Sequence, residues 1–499
     1  MAQRQYKKGI NRGQADIFPP SLDEFISENN PVRAIDAYVE TLDLTELGFG
    51  KTKANVNASG QPAFAPQVLL KLYLYGYLNR IRSSRLLERE CTRNIEMMWL
   101  LEKLAPGYKT IADFRKDNPK ALRQAHQNFI RLCRQLKLFG GEQIAIDGSF
   151  FKGSVSAKSF ITTTRLTREI KQLDASIEEW LASLDQADLD EPIDDALKDD
   201  PELAKKLEAL QKQKVEKKAQ LQALTQAGRT QLSSVDKDAR LLNKRGQKTN
   251  GYNVQIATDN KHYLLVADDV TTDANDLEQL HPMASQAREV LQVESLEALA
   301  DAGYYKGAQI QACLDDQITP YVPEPDRKST KSGRFQRTDF IYDTEQNVYR
   351  CPAGCSLKPR SPRYQNGQLK QYYASRKANC NHCHLRQQCL PPRSKERRLL
   401  RDEYEATLVV HNQRMASNPG IMRKRSAAVE HPFGTLKRRA GWDHFLVRGL
   451  EKVRGEWSLM ALAYNFTRVL NIIGIEQFMA YCAQQAKRSG NGIVVTCCF

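Results

Sequence analysis

Three carboxylates, each more than a hundred residues from the next, stand where the chain could deliver them to one place. Asp147 closes the apolar run in GGEQIAIDGSFFKG, and Asp301 closes that in SLEALADAGYY, so both are read where a buried strand gives way to a Gly-containing turn. Open α/β sheets gather ligands at the carboxyl ends of their strands, which would let the two meet. A single Asp-Gly after a strand is ordinarily just a turn. The pair gains meaning from a third acid, Glu430 in IMRKRSAAVEHPFGTLKRRAGW. Seven residues are nearly two helical turns, so Arg423, Glu430 and Lys437 would share one face, kept uncrowded by Ser426, Ala427 and Gly434. Pro432 removes one helical hydrogen bond and predicts a kink just after the glutamate. An exposed ion-pair ladder is the plainer account of the same spacing.

Clustered carboxylates repel one another unless cations neutralise them. Two Mg²⁺ (or Mn²⁺) ions roughly 3.5–4 Å apart, held by such hard oxygen donors, can activate an oxygen nucleophile, stabilise a leaving oxygen and relieve charge on a phosphodiester. A flanking Arg and Lys grip the phosphates on either side of the cut. Arg423, Arg425, Lys437, Arg438 and Arg439 are the candidates for that grip.

A second constellation lies between the second and third carboxylates, in CPAGC and CNHCHLRQQC. Two close-spaced cysteine groups resemble a structural zinc ribbon. Zn²⁺ takes four ligands, and five Cys with His382 and His384 oversupply it. The favoured set is Cys351, Cys380, Cys383 and Cys389, with Cys355 able to replace one. The alternative is ordinary reduced cysteines in a loop-rich insert. The flanks RKSTKSGRFQR and RSKERRLLR are strongly basic. Cys91, Cys133, Cys313 and Cys482 read as packing residues, and Cys497 and Cys498 have no assigned role.

The elements that must position these groups follow from periodicity. The first 140 residues read as helices: one after Ser21 as N-cap, one in APQVLLKLYLYGYL with Pro66 in its first turn, then SSRLLERECTRNIEMMWLLEKL and TIADFRKDNPKALRQAHQNFIRLCRQLKLF. Their Arg80, Arg82, Arg85, Arg89 and Arg93 suit either a helix-turn-helix DNA reader or a packing domain with basic edges. GYNVQIATD and HYLLVADDVT, parted by Asn260-Lys261, read as a hairpin, followed by a helix in TDANDLEQLHPMASQAREVLQ. Strands, helix and strand in that order predict a mixed α/β sheet. Between Asp147 and the hairpin, Leu166, Ile170, Leu173, Ile177, Leu181 and Leu184 alternate steps of four and three, the pattern of a coiled coil. An acidic loop with Pro192 and Pro201 precedes a Lys-rich return helix, predicting an antiparallel helical hairpin. Trp457, Met460, Leu462 and Tyr464 read as a core helix, and Trp442 as core packing ahead of base stacking. Asn465 reads as a cap or a buried hydrogen bond, while His262 and His281 are given no ligand role.

At 499 residues the chain implies two to four units, and 41% hydrophobic residues allow a sizeable core. No signal-like stretch opens the chain and no run approaches a membrane span, so a soluble, cytoplasmic protein is expected. Eleven cysteines in such a chain point to metal or packing, not disulfides. Between Asp174 and Glu202, twelve acids face Lys198 alone, a net of −11 within the overall +15, which leaves +26 elsewhere. That surplus suits a polyanion, although a basic solvated surface would carry it too.

Taken in order, these motifs resemble the insertion-sequence transposases of the DDE superfamily, in the insertion-sequence 1182-like group with an InsH-like helical N-terminal domain. FPPSLDEFISENNPVRAID and FAPQVLLKLYLYGYLNRIRSSRLLERE carry the N-terminal likeness. IAIDGS, GYNVQIATDNKHYLLVADDVTTDANDLEQL, ALADAGYY and VEHPFGTLKRRAGWDHFLVRGL carry that of the core. The resemblance implies an RNase H-like catalytic fold, catalytic Asp147, Asp301 and Glu430, cleavage at element ends and strand transfer by the freed 3′-hydroxyl. It divides the chain into a helical DNA-binding domain (1–140), a catalytic domain (141–473) with a coiled-coil insertion (163–230) and a Cys-rich insertion (335–400), and a tail (474–499). Related enzymes carry a Tyr-Arg-Glu-Lys signature with Arg four before the Glu and Lys seven after. Here Lys437 fits, position 426 is Ser, Arg425 or Arg423 must substitute, and no Tyr stands at 423, leaving hairpin-forming chemistry open. The implied partner is double-stranded DNA, at the element ends and the target, bound by a homodimer in the nucleoid. No membrane or small-molecule substrate is expected. The rivals are a DNA-binding protein that has lost the chemistry, an RNase H-like nuclease without strand transfer, and a zinc-stabilised scaffold.

Overall fold

In the computed structural model, residues 21–50, 63–190, 201–244, 246–325, 334–365 and 368–488 are described. The acidic loop with Pro192, most of the basic flank RKSTKSGRFQR, and Cys497 and Cys498 lie outside them.

Helix positions follow the periodicity, but Asn and Pro set the ends. Ser21 and Glu24 close a capping box on the single turn Leu22–Phe25. The chain then starts afresh in α1 (Pro31–Glu40), where Asn30 accepts a hydrogen bond from the Val32 N–H. A proline pushes its predecessor out of the helical region yet fits a first turn, so the single helix expected after Ser21 is split. After α2 (Pro66–Leu78) and α3 (Ser84–Arg93), Asn94 caps α4 (Ile95–Leu100). Asn118-Pro119 likewise divides α5 (Tyr108–Asp117) from α6 (Pro119–Gln135).

The sheet begins with β1 (Gln143–Lys152). A short β2 (Phe160–Thr162) leads into α7 (Thr163–Asp190) and α8 (Pro201–Gln226), and β3 (Gln231–Ser233) pairs with β2 on return. The two helices run antiparallel. Lys217 meets Glu169 at 2.6 Å and Lys214 pairs with Asp174, while Leu166, Ile170, Ile177 and Leu224 are buried and Leu181 is exposed. The main sheet continues with β4 (Arg240–Lys244), β5 (Gln247–Asp259) and β6 (Leu265–Thr271). These are followed by α9 (Leu280–Leu291), β7 (Leu296–Leu299), α10 (Gly307–Asp315) and β8 (Ile318–Tyr321). Strand order is β4-β5-β1-β7-β8, with β6 also on β5; β1 is antiparallel to β5 and parallel to β7. This is the mixed α/β sheet expected. Beyond it, β9 (Ile341–Asp343), β10 (Val348–Arg350), β11 (Ser356–Pro359), β12 (Arg363–Gln365), β13 (Gln368–Ala374) and β14 (Arg398–Asp402) form a second, antiparallel sheet, with α11 (Lys377–Asn381) and α12 (Arg386–Cys389) between its last two strands. The chain closes with α13 (Glu405–Ser417), α14 (Ile421–Phe433), α15 (Leu450–Ile473) and α16 (Ile475–Arg488).

The N-terminal helices share one apolar core with α15 and the sheet: Tyr38, Tyr77 and Phe129 belong to the same cluster as Phe151, Trp457 and Phe466. Asn465 is fully buried and clamps β6, its side chain bonded to both the N–H and the C=O of Leu265 at 2.8 and 2.9 Å. Trp442 packs edge-on against Tyr77 and is buried, so it is a core residue. Arg82, grouped with the basic edge in the sequence, is also buried. It donates to the His444 carbonyl and, with Arg115, faces the wholly buried Glu456. Among the described residues no single helix is long and apolar enough to cross a membrane.

Candidate active site

Asp147 does not end its strand. Pairing with β5 runs unbroken from Ile144 opposite Asp259 to Lys152 opposite Gly251, so the ladder holds Asp147-Gly148 extended where a turn was expected. Alternation sends Ala145, Asp147 and Ser149 to one face. There α14 lies across β1, with Ala428 and Val429 packed on Ala145. Asp301 follows the parallel neighbour β7 and caps the turn Ala302–Tyr304, its Oδ1 accepting from the Gly303 N–H at 2.8 Å.

The structure brings these two aspartates to one cation. Arg425 Nη2 lies 2.9 Å from Asp147 Oδ1 and 3.8 Å from Asp301 Oδ2, and its Nε donates to the Ile146 carbonyl at 3.3 Å. Of the two arginines left open by the sequence, it is therefore Arg425 that meets the carboxylates, while Arg423 is exposed. Glu430 is also exposed, five residues beyond Arg425 and roughly 140° round a regular helix from it. Past Pro432 the backbone continues as a π-helical turn, Gly434–Arg439. Wider turns of this kind re-aim the side chains that follow. Here Lys437 turns onto β1, its Nζ bonded to Ser149 Oγ and the Phe150 carbonyl, each at 2.6 Å, and 4.3 Å over the Phe151 ring. Arg438 and Arg439 are exposed.

Two converging carboxylates in contact with a cation are the hard oxygen donors that a divalent ion takes. Among the described residues, no three His, Cys, Asp or Glu side chains are gathered as a metal-binding group. The cysteines converge in a different way. Cys351, Cys355, Cys380, Cys383 and Cys389 all line one cavity of about 30 Å³ beneath the second sheet. Cys351 and Cys355 are joined by a tight turn, Cys351 N–H to Cys355 carbonyl at 2.9 Å, and Cys380 Sγ lies 2.9 Å from Ser375 Oγ. Burial, then the neighbouring Cys351, pushes the Cys355 thiol up; burial also raises Cys389, against the pull of Arg397. Cys91, Cys133, Cys313 and Cys482 are buried packing residues, and burial raises their thiols as well. His281, given no ligand role, pairs with Asp316 at 2.7 Å.

Sequence reading missed Asp276, Gln255 and Tyr304, which pack behind the aspartate pair. Their signal was slight: Asn253 and Gln255, two alternate amides among the apolar residues of GYNVQIATD.

Paired aspartates at the centre of a mixed sheet, beside a helix rich in arginine, form an acidic centre in contact with a guanidinium. Residues 350–470 match the transposase DDE domain family, and residues 20–117 match the transposase domain family DUF772. These two matches support a DDE-superfamily insertion-sequence transposase. The DDE-domain segment contains Arg425, Glu430 and Lys437; Asp147 and Asp301 precede it. A cryo-EM structure of the piggyBac transposase synaptic complex with hairpin DNA aligns over 95% of this chain and 84% of its own, at 8% identity and a TM-score of 0.32. A likeness at that level defines no common fold. No curated protein matches the chain.

Proposed function

We propose that this transposase binds the ends of its element and both cleaves and rejoins DNA by metal-dependent phosphodiester chemistry, in a cut-and-paste pathway. The observation that carries this reading is the convergence of Asp147 and Asp301 on Arg425, with Lys437 alongside on the same strand. Asp147, Asp301 and Glu430 would hold two Mg²⁺ or Mn²⁺ ions, which supply Lewis-acid stabilisation of phosphate oxygens and an activated oxygen nucleophile. Arg425 offsets one of the two aspartate charges in the absence of DNA and is placed to turn to a phosphate. Arg423, Arg438 and Arg439, exposed on α14 and the turn after it, extend the grip along the backbone. Lys437, anchored on β1, orients the strand that carries Asp147.

The order β6-β5-β1-β7-β8, an antiparallel hairpin followed by parallel crossovers, supports an RNase H-like core. In this reading residues 1–140 bind DNA, 141–473 are catalytic, 163–230 form a coiled-coil hairpin suited to a homodimer on paired ends, and 474–499 are the tail. The set Cys351, Cys380, Cys383 and Cys389, or Cys355 for one of them, would hold a structural Zn²⁺ within the insertion 335–400. The supporting observation is the single cavity that all five thiols line. Purified wild type and Asp147→Ala, incubated with labelled element-end DNA in Mg²⁺ or EDTA, test the function. Mg²⁺-dependent cleavage and strand-transfer products that vanish in the variant, with DNA binding retained, are expected. Binding without cleavage by the wild type would overturn it, and cleavage without joining would reduce it to a nuclease.

A further inference from the structure

Gly148 alternates with Asp147 and so opens to the opposite face of β1. On that face lies another carboxylate. Asp276, in the loop between β6 and α9, is 5% exposed, and its Oδ1 accepts from Asn253 Nδ2 at 2.8 Å and Gln255 Nε2 at 2.7 Å. Both amides come from alternate, fully buried positions of β5. Gln255 stands directly across the ladder from Gly148. A side chain at 148 would destroy this arrangement, because its Cβ would lie 2.3 Å from Gln255 Nε2 and 2.5 Å from Asp276 Oδ1.

The same group reaches the second aspartate. Tyr304, wholly buried, closes the turn that Asp301 caps and donates its hydroxyl to Gln255 Oε1. Burial, followed by the charges of Asp276, Asp147 and Asp301, holds that hydroxyl well above its ordinary range, so it remains a neutral donor. A Cβ at Gly303 would come within 3.7 Å of Asp276 Oδ2. The chain of contacts therefore runs from the backbone beside Asp147, through Gln255 and Asp276, to the turn of Asp301.

We infer that Asp276 is a positioning residue, which with Gln255 and Tyr304 ties β1 at Asp147-Gly148 to the Asp301 turn and so sets the spacing of the two carboxylates. A cation site tolerates only about half an ångström of misplacement, so this support controls affinity without touching the ion. The inference rests on Asp147 and Asp301 being the cation-binding pair.

Calorimetric titration of the full-length, DNA-free protein with Mn²⁺ tests it, alongside thermal unfolding of each variant. Asp276→Ala is expected to weaken Mn²⁺ binding about tenfold or more, the scale at which groups supporting metal ligands act. Asp276→Asn keeps an oxygen for both amides and is expected to restore affinity to within about threefold of wild type. Tyr304→Phe keeps the ring, loses the donor, and is expected to bind several-fold more weakly. Wild-type affinity in Asp276→Ala overturns the inference. Asp276→Asn as weak as Asp276→Ala also overturns it, by making the charge itself the contribution. If Asp276→Ala does not fold, wild-type affinity in Tyr304→Phe decides against it. Asp147→Asn binding Mn²⁺ as tightly as wild type would instead sink the pair reading beneath it.

Discussion

Replacing Arg425 by glutamine is expected to make the aspartate pair bind divalent cations more tightly while abolishing DNA cleavage. The guanidinium lies 2.9 Å from Asp147 and 3.8 Å from Asp301, and its side chain is only 12% exposed. At an effective dielectric of about 20, unit charges about 4 Å apart attract by roughly 4 kcal/mol. A divalent ion entering the pair must displace that contact, but the freed guanidinium recovers most of the energy from water or phosphate. A residual penalty of about 1–2 kcal/mol corresponds to roughly 5- to 30-fold in affinity. Mn²⁺ titration of the DNA-free wild type and Arg425→Gln, with Asp147→Asn as the control, reads this directly. Damage to a site lowers affinity, so a gain cannot come from misfolding. Equal or weaker binding by Arg425→Gln would refute the competition and leave Arg425 a structural partner of Asp147.

Glu456→Ala should destabilise the fold by about 3–5 kcal/mol, because it strands the buried Arg82 and Arg115 and frees the Leu446 and Val447 N–H groups, as denaturant midpoints would show. Asn465→Ala leaves both backbone groups of Leu265 unpaired and should cost about 2–4 kcal/mol by the same measurement. His411 is fully buried and bonded to the Val322 carbonyl, and burial holds its imidazole below the ordinary 6.5. Its unfolded form takes up a proton first, so its contribution to stability is present above pH 6.5 and is lost as pH falls through the lower, folded value. His411→Phe should flatten that acid limb in melting curves recorded across pH. Zinc content by elemental analysis should be about one per chain and fall in Cys383→Ser, and a chain that purifies without zinc would argue for plain thiols.

How far the sequence alone reached is clearest at the site. Asp147 and Asp301 were legible because each follows an apolar run of residues, and the Arg- and Lys-rich helix around Glu430 was legible from heptad spacing. The helix interruptions at Asn30-Pro31 and Asn118-Pro119 were also written locally, although the periodicity reads through both. Other features depend on partners distant in sequence. Asp147 stays in mid-strand because residue 148 pairs with 255, more than a hundred positions away. Arg425, not Arg423, meets the aspartates because α14 docks on β1 through Ala428 and Val429. The π-helical turn then decides where Lys437 points. Asp276 and Tyr304 offered no periodicity to read, since a buried polar group is defined only by what folds around it. Local propensity and spacing thus named the elements and nominated the carboxylates. Strand register and helix docking, which are set by long-range packing, decided which charges meet.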